Sequence, residues 1–183
     1  HAHDISVDDV LKRADTAMYE AKASGRNTLR FFDPSMQAAL EARAKLEVDL
    51  RHAVSQRQFA LFYQIQVNCG NQPVGAEVLL RWMHPVRGVV SPGEFISVAE
   101  ETGLILPIGL WVLETACAQI RVWEANPQLC GLQLAVNVSA RQFHQPDFVG
   151  QVRMAINKAG INPNRLKIEL TESVALDDIN DTA

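Results

Sequence analysis

Apolar and polar residues alternate along the chain after residue 58 with two different periods. Four segments show the two-residue period of strands that have one apolar face. These segments are residues 59–67, 75–83, 132–140 and 165–173. Segments with the 3.6-residue period of amphipathic helices lie between the later strands. They cover residues 93–105, 108–125 and 147–160. The alternation predicts an α/β fold with mostly parallel strands.

The first two predicted strands have no helix between them. The turn-rich sequence "NCGNQP" at residues 68–73 is their link. Parallel neighbours need a long crossover, whereas antiparallel neighbours are joined by a short turn. We therefore predict that these two strands pair antiparallel.

The sequence before residue 58 predicts two helices and one short strand. Ser6 and Asp9 have the spacing of a helix capping box, and Gly25 is a typical residue at a helix end. "TLRFF" at residues 28–32 predicts the strand. The second helix is predicted over residues 36–56 and interpreted as a connector.

Each predicted strand has an apolar face and a second face with polar side chains. The second faces carry Gln64, Glu77, Leu79, Arg81, Asn137, Lys167 and Glu169. A doubly wound sheet is covered by helices on both sides and needs two apolar faces. A closed barrel with a polar mouth fits better, because such barrels build active sites at the carboxyl ends of their strands.

Composition and charge narrow the classes of partner. The chain has 183 residues, of which 48% are hydrophobic, and a formal net charge of −4. This charge gives no global attraction for polymeric nucleic acid or an anionic membrane, so an anionic ligand needs local positive groups. The three cysteines lack CxxC spacing, which indicates reduced thiols and a cytoplasmic location. We expect no apolar run near the roughly 20 residues of a membrane span. A parent protein anchored in the membrane upstream is compatible with this pattern.

Three oxygen-bearing side chains on the polar faces are candidate metal ligands. Glu77, Asn137 and Glu169 offer two carboxylates and an amide carbonyl, the donors that suit Mg²⁺ or Mn²⁺. Arg81 and Lys167 on the same faces are suited to a phosphate. The alternative is structural ion pairing of Glu77 with Arg81, or of Glu169 with Lys167 or Arg81, since buried charges are tolerated in pairs. The residues alone leave both interpretations open.

Several ordered motifs resemble a known family. "AEVLLRW", "LAVNVSARQF" and "KIELTES" are similar to motifs of the EAL domain of bacterial cyclic di-GMP phosphodiesterases, and the likeness runs from about Met36 to the last residue. "RADTAMYEAKASGRNTLRFF" resembles the end of a GGDEF domain. The resemblance implies a TIM-like (β/α) barrel with one antiparallel early strand. It divides the chain into a GGDEF remnant (1–34), a connecting helix with the start of the EAL domain (35–57) and the N-terminal half of the barrel (58–183).

The resemblance also implies a reaction, its cofactors and its partners. The family hydrolyses one phosphodiester bond of cyclic di-GMP to linear pGpG with two Mg²⁺ or Mn²⁺ ions. A linked GGDEF domain and an EAL–EAL homodimer are the implied protein partners. By position, Glu77, Asn137 and Glu169 match metal ligands, Gln64, Leu79 and Arg81 match ligand contacts, and Glu172 ranks below Glu169 as a ligand.

The sequence departs from the family pattern at three places. Val78 replaces the middle alanine of the family name on the outward face, and Ile65 stands where a proline is common. The chain ends at "ALDDINDTA" before the family's later aspartate pair, lysine and glutamate. We therefore expect an active parent enzyme, an inactive 183-residue fragment, and no catalytic residue here beyond the metal ligands. The rival interpretations are a catalytically silent cyclic di-GMP receptor, which would lack metal ligands, and a structural interaction domain.

Overall fold

The residues described in a computed structural model of the protein, 6–23 and 27–170, form six α-helices and five strands. The chain folds as two units, residues 1–48 and 49–183. The helices are α1 (Val7–Ala23), α2 (Pro34–Ser55), α3 (Pro92–Thr102), α4 (Ile105–Glu124), α5 (Ala140–Phe143) and α6 (Phe148–Ala159). The strands are β1 (Phe59–Val67), β2 (Pro73–His84), β3 (Gly88–Val90), β4 (Gln133–Val138) and β5 (Leu166–Leu170), the last preceded by a 3-10 turn, Pro163–Arg165.

The first helix begins at the predicted capping residues. The backbone N–H of Asp9 donates to Ser6 Oγ over 3.1 Å, and Ser6 Oγ donates to Asp9 Oδ2 over 2.7 Å. The hydrogen bond from Ser6 stabilises the ionised carboxylate and lowers the pKa of Asp9. Gly25, the predicted helix end, lies outside the described residues.

The predicted strand at residues 28–32 is wrong. These residues have no regular secondary structure, and Leu29 and Phe31 are 77% and 80% exposed. A strand needs a neighbouring strand to satisfy its backbone groups. In the described part of the N-terminal unit the regular elements are helices, so residues 28–32 have no neighbouring strand there.

The five strands form one mixed sheet with the order β1-β2-β4-β5, and β3 pairs with β2 beside this path. β1 and β2 are antiparallel, as predicted, whereas β2–β4 and β4–β5 are parallel. Asn68 closes the link between β1 and β2, since its backbone N–H donates to the carbonyl of Gln72 over 3.0 Å. The three residues of β3 are too few to show a period, so alternation does not predict this strand.

The apolar faces of β2 and β4 pack against helices, as the alternation predicts. Ala76, Val78 and Trp82 of β2 are buried, and so are Leu134, Val136 and Val138 of the apolar face of β4, together with Ala135 of its other face. The buried side of α4 faces this layer and contains Ile108, Val112, Leu113, Ala116, Cys117 and Ile120. The α/β fold is therefore confirmed, while the described strands form an open sheet and closure into a barrel stays a prediction.

One helix is longer and more apolar than the sequence analysis expected. Within the described part of the chain, α4 alone has the length and composition of a membrane span, with a mean hydropathy of 1.4. Its buried residues pack on the sheet and on α6, and 44% of its apolar window is buried. α4 thus has one buried side, which lies in the α/β layer.

Burial of Cys117 in α4 gives a testable difference among the three thiols. Cys117 is buried, whereas Cys69 and Cys130 are exposed. Burial, with a smaller contribution from the carboxylate of Glu114, raises the pKa of Cys117 to about 11. We expect a disulfide reagent at pH 8 to modify Cys69 and Cys130 in the folded protein and Cys117 only after denaturation.

The raised pKa of Cys117 makes the stability of the protein depend on pH in the alkaline range. The pKa of Cys117 is higher in the folded state than in the unfolded state, so its contribution to stability is complete below the unfolded pKa. It is lost as the pH rises toward about 11. Thermal melts of wild type and Cys117→Ala between pH 8 and 11 measure this, and the wild type is expected to lose more stability over that range. Equal losses, or rapid labelling of Cys117 at pH 8, would contradict the assignment.

Candidate functional site

The strand register places the predicted site residues on one face of the sheet. Gln64 of β1 lies opposite Glu77 of β2. Asn137 of β4 lies beside Glu169 of β5. Neighbouring strands are only about 4.8 Å apart, so side chains that share a face of adjacent strands lie close together. The four side chains therefore follow one another across the sheet.

Glu77 and Asn137 meet directly in the middle of this row. Asn137 Nδ2 donates to Glu77 Oε1 over 2.7 Å and joins β2 to β4. A hydrogen bond to a carboxylate is stronger than one between neutral groups. Both Glu77 and Arg81 lie in the described part of the chain, and no ion pair joins them there. The first ion-pair alternative of the sequence analysis is therefore wrong for these two residues.

Glu169 instead has the ion-pair partner that the sequence analysis named as an alternative. Lys167 Nζ lies 2.7 Å from Glu169 Oε1, and the two side chains are 54% and 30% exposed. Residues two apart on a strand share a face, which explains the contact. A pair this exposed contributes little to stability. Glu172, the lower-ranked candidate, lies outside the described residues.

Arg81 of β2 is oriented by a backbone carbonyl of its own strand and by an aromatic ring of the neighbouring strand β1. Its guanidinium donates to the backbone carbonyl of Leu80 over 2.8 Å and lies 5.8 Å from the centre of the Phe62 ring. This cation–π contact orients the planar group. A guanidinium has five N–H donors, so donors remain for an anionic ligand.

A cavity of about 380 Å³ lies between β2, the end of β4, α3 and α4, and its wall includes Val78, Leu80 and Val112 of the sheet–helix layer. Leu79 and Asn137 lie on its wall. Glu100, Ser139 and Gln142 also line it and are not among the site residues that the sequence predicts. Ser139 and Gln142 have capping-box spacing, which is the sequence signal that identifies them.

The donor set of the row fits a hard divalent cation. Within residues 6–23 and 27–170, no three His, Cys, Asp or Glu side chains converge, so a zinc-type cluster is not found there. Glu77, Asn137 and Glu169 instead offer two carboxylates and an amide from three adjacent strands. Such oxygen donors suit Mg²⁺ or Mn²⁺. Glu169 would exchange its Lys167 partner for the cation.

The sequence of this sheet and its polar row matches a known class of domain. The family model of the EAL domain matches residues 47–183, which is more than half of the chain. The chain therefore belongs to the EAL domain family, as its motifs predict.

Individual relatives support the same assignment. The chain is 44% identical over 171 residues to the bifunctional diguanylate cyclase/cyclic di-GMP phosphodiesterase MucR of Pseudomonas aeruginosa, covering 93% of this chain and 25% of that protein. It is 33% identical over 168 residues to the cyclic di-GMP phosphodiesterase PdeR of Escherichia coli, covering 92% of this chain and 25% of that protein. The chain thus spans about a quarter of the length of these relatives.

A solved structure shares the fold. The MucR phosphodiesterase in complex with cyclic di-GMP superposes with a TM-score of 0.70 at 43% identity, covering 75% of this chain and 56% of that chain. The α/β fold described above is therefore structurally similar to that of an EAL domain.

Proposed function

We propose that the protein hydrolyses cyclic di-GMP to linear pGpG with Mg²⁺ or Mn²⁺. The contact of Glu77 Oε1 with Asn137 Nδ2 over 2.7 Å carries this proposal, because it unites two oxygen-bearing side chains from separate strands. Glu169 extends the same row. The names of MucR and PdeR as cyclic di-GMP phosphodiesterases, and the cyclic di-GMP complex of MucR, support the substrate.

The proposed metal ligands and Arg81 have separate roles in this proposal. Glu77, Asn137 and Glu169 would hold two ions. The chemistry that such ions supply when bound is polarisation of the phosphoryl group and activation of water for in-line attack. Arg81 binds a phosphate oxygen with the guanidinium donors that remain after its contacts with Leu80 and Phe62.

Two further residues contact the ligand in this proposal. Gln64 lies exposed opposite Glu77 and offers an amide to a base or ribose edge. Leu79 lines the cavity beside Asn137 and supplies apolar contact. Both lie on the face that carries the proposed metal ligands, so one bound dinucleotide would touch all of them.

The division of the chain into domains is also part of the proposal. Residues 1–34 are the end of a GGDEF domain, residues 35–57 connect it to the EAL domain, and residues 58–183 form the N-terminal half of a TIM-like barrel. The name of MucR as a bifunctional cyclase and phosphodiesterase supports the first assignment, since a match to 93% of this chain reaches into residues 1–34. An EAL–EAL homodimer and a cytoplasmic location are part of the proposal.

The 183 residues alone are proposed to be inactive. The described strands leave the sheet open at β1 and β5. Gln64 and Asn137 are exposed there, so water surrounds groups that a closed site would desolvate. Activity is therefore assigned to the full-length protein that contains these residues.

A catalytically silent cyclic di-GMP receptor is the second candidate. The ion pair of Lys167 with Glu169 favours it, because an ammonium group already neutralises one proposed metal ligand. In that case Arg81, Gln64 and Leu79 would bind the dinucleotide without cleavage.

One experiment separates the two candidates. The full-length protein is incubated with cyclic di-GMP and Mg²⁺ or Mn²⁺, and pGpG is measured by chromatography with an EDTA-treated sample as the control. Cyclic di-GMP binding is measured in parallel by calorimetry. Metal-dependent pGpG formation is the expected result, whereas tight binding without pGpG supports the receptor. A protein that neither binds nor cleaves cyclic di-GMP would overturn both candidates.

A further inference from the structure

We infer that Gln142 is a positioning residue that holds Asn137 in place, and that Gly109 of α4 provides the space it needs. This inference rests on the proposed function, because it assigns Gln142 to the support of a proposed metal ligand. Gln142 itself lies in α5, in the chain that leaves β4, and need not touch metal or substrate.

Gln142 closes the turn directly after the strand that carries Asn137. Its Oε1 accepts from the backbone N–H of Ser139 over 3.3 Å and from Ser139 Oγ over 3.1 Å. In return, the backbone N–H of Gln142 donates to Ser139 Oγ over 3.3 Å. This reciprocal capping box determines the direction in which the chain leaves β4.

The amide of Gln142 is buried against a helix that has no side chain at that point. Gln142 is only 7% exposed. A Cβ atom on residue 109 would lie 1.7 Å from Gln142 Nε2 and 2.3 Å from its Cδ. Real atoms do not approach so closely, so any residue other than glycine at position 109 displaces this amide.

Movement of this amide breaks the turn. Gln142 lines the cavity of about 380 Å³, so there is space for a new rotamer, but a new rotamer breaks the contacts of Oε1 with Ser139 that close the turn. Burying a polar side chain costs free energy unless its hydrogen bonds are made. Among the described residues, the hydrogen bonds of this side-chain amide are those that Oε1 accepts from Ser139, so its polar contacts close the turn.

The turn and the proposed ligand are adjacent in the chain. Ser139 follows Asn137 by two residues, and Asn137 sits at the carboxyl end of β4 beside Glu169. Loss of the capping box frees the end of β4, so the side chain of Asn137 loses its set position against Glu77. Groups hydrogen-bonded directly to a metal ligand typically contribute about 10–100-fold to metal affinity or activity. We take the same range for Gln142, which acts on Asn137 through the turn at Ser139.

The test compares two glycines that both lie in helices. Gly109→Ala is expected to weaken Mn²⁺ binding by the full-length protein about 10–100-fold, measured from free Mn²⁺ by electron paramagnetic resonance. Gly93→Ala in α3 is the matched control, because a Cβ there meets nothing within 4 Å. It should bind Mn²⁺ like wild type. Gln142→Met, which keeps the length of the side chain and removes the acceptor, should reproduce the loss.

A double-mutant cycle and a metal-free measurement exclude a general loss of structure. If Gly109 acts through Gln142, then Gly109→Ala adds nothing to Gln142→Ala, because alanine at 142 leaves room for the new methyl. Hydrogen exchange in metal-free protein should accelerate at the amides of residues 139–142 in Gly109→Ala and stay unchanged in Gly93→Ala.

The outcomes separate this inference from the proposed function. Wild-type Mn²⁺ affinity in both Gly109→Ala and Gln142→Met, or additive losses in the cycle, would overturn the positioning role. A wild-type protein that binds Mn²⁺ without cleaving cyclic di-GMP overturns the proposed reaction. The double-mutant cycle on Mn²⁺ affinity then decides the positioning role by itself. A wild-type protein that binds no Mn²⁺ overturns both.

Discussion

Replacement of Glu77 by alanine is expected to lower kcat for cyclic di-GMP hydrolysis by the full-length protein more than about 100-fold. Outer partners of metal ligands contribute about 10–100-fold, and a direct ligand should contribute more. The substitution also removes the acceptor for Asn137 Nδ2. Initial rates with saturating Mn²⁺ measure the effect, and a melting curve checks that the variant folds.

Two further variants make the Glu77 result specific. Glu77→Gln keeps an oxygen that accepts from Asn137 and removes the charge, so it should be nearly as inactive as Glu77→Ala. Glu114→Ala removes a carboxylate that pairs with Lys158 over 2.9 Å on the outside of α4, and it should retain wild-type rates. Near-normal activity in Glu77→Gln would show that Glu77 is a hydrogen-bonding residue rather than a metal ligand.

Replacement of Trp82 by alanine is expected to destabilise the EAL unit by about 3–5 kcal/mol. Trp82 is fully buried, and the rings of Phe59 and Phe95 lie 6.4 and 5.7 Å from it. Its Nε1 donates to Gln58 Oε1 over 3.2 Å, so the change leaves a cavity and an unpaired acceptor. For a unit of this size the melting temperature should fall by roughly 6–20 °C.

Trp123→Ala is the matched control for this stability prediction. Trp123 is only half-buried and packs edge-on against Tyr63 with ring centres 5.5 Å apart. Its removal should lower the melting temperature by less than half as much. Equal shifts for the two variants in calorimetry would contradict the assignment of Trp82 to the centre of the core.

Alternation along single strands was predictable because it depends on local geometry. The two-residue period of β2 placed Glu77 and Arg81 on one face and Val78 on the other, and the structure confirms this division. The antiparallel pairing of β1 with β2 followed from the short link between them. The predicted strand at residues 28–32 is wrong because strand formation depends on a partner strand, which local sequence does not specify.

The candidate site was predictable in its members and less so in their contacts. The alternation of the strands and the resemblance of the motifs both predict Glu77, Asn137 and Glu169. Which of them touch depends on strand order and register, since Glu77 and Asn137 are separated by 60 residues in the chain. The same holds for Gln142 and Gly109, whose close approach joins α5 to α4. The capping spacing of Ser139 and Gln142 indicates only the turn.

The sequence by itself determined the α/β class, the faces of the strands, the family and the set of oxygen donors, because these depend on residue type and on spacing within short segments. Tertiary structure alone decided that Asn137 bonds Glu77 and that Gly109 leaves room for Gln142. In each of these contacts, several other side chains of the sequence have suitable chemistry to be the partner. Strand register and helix packing make that choice, because they determine which side chains come within a few ångströms of each other.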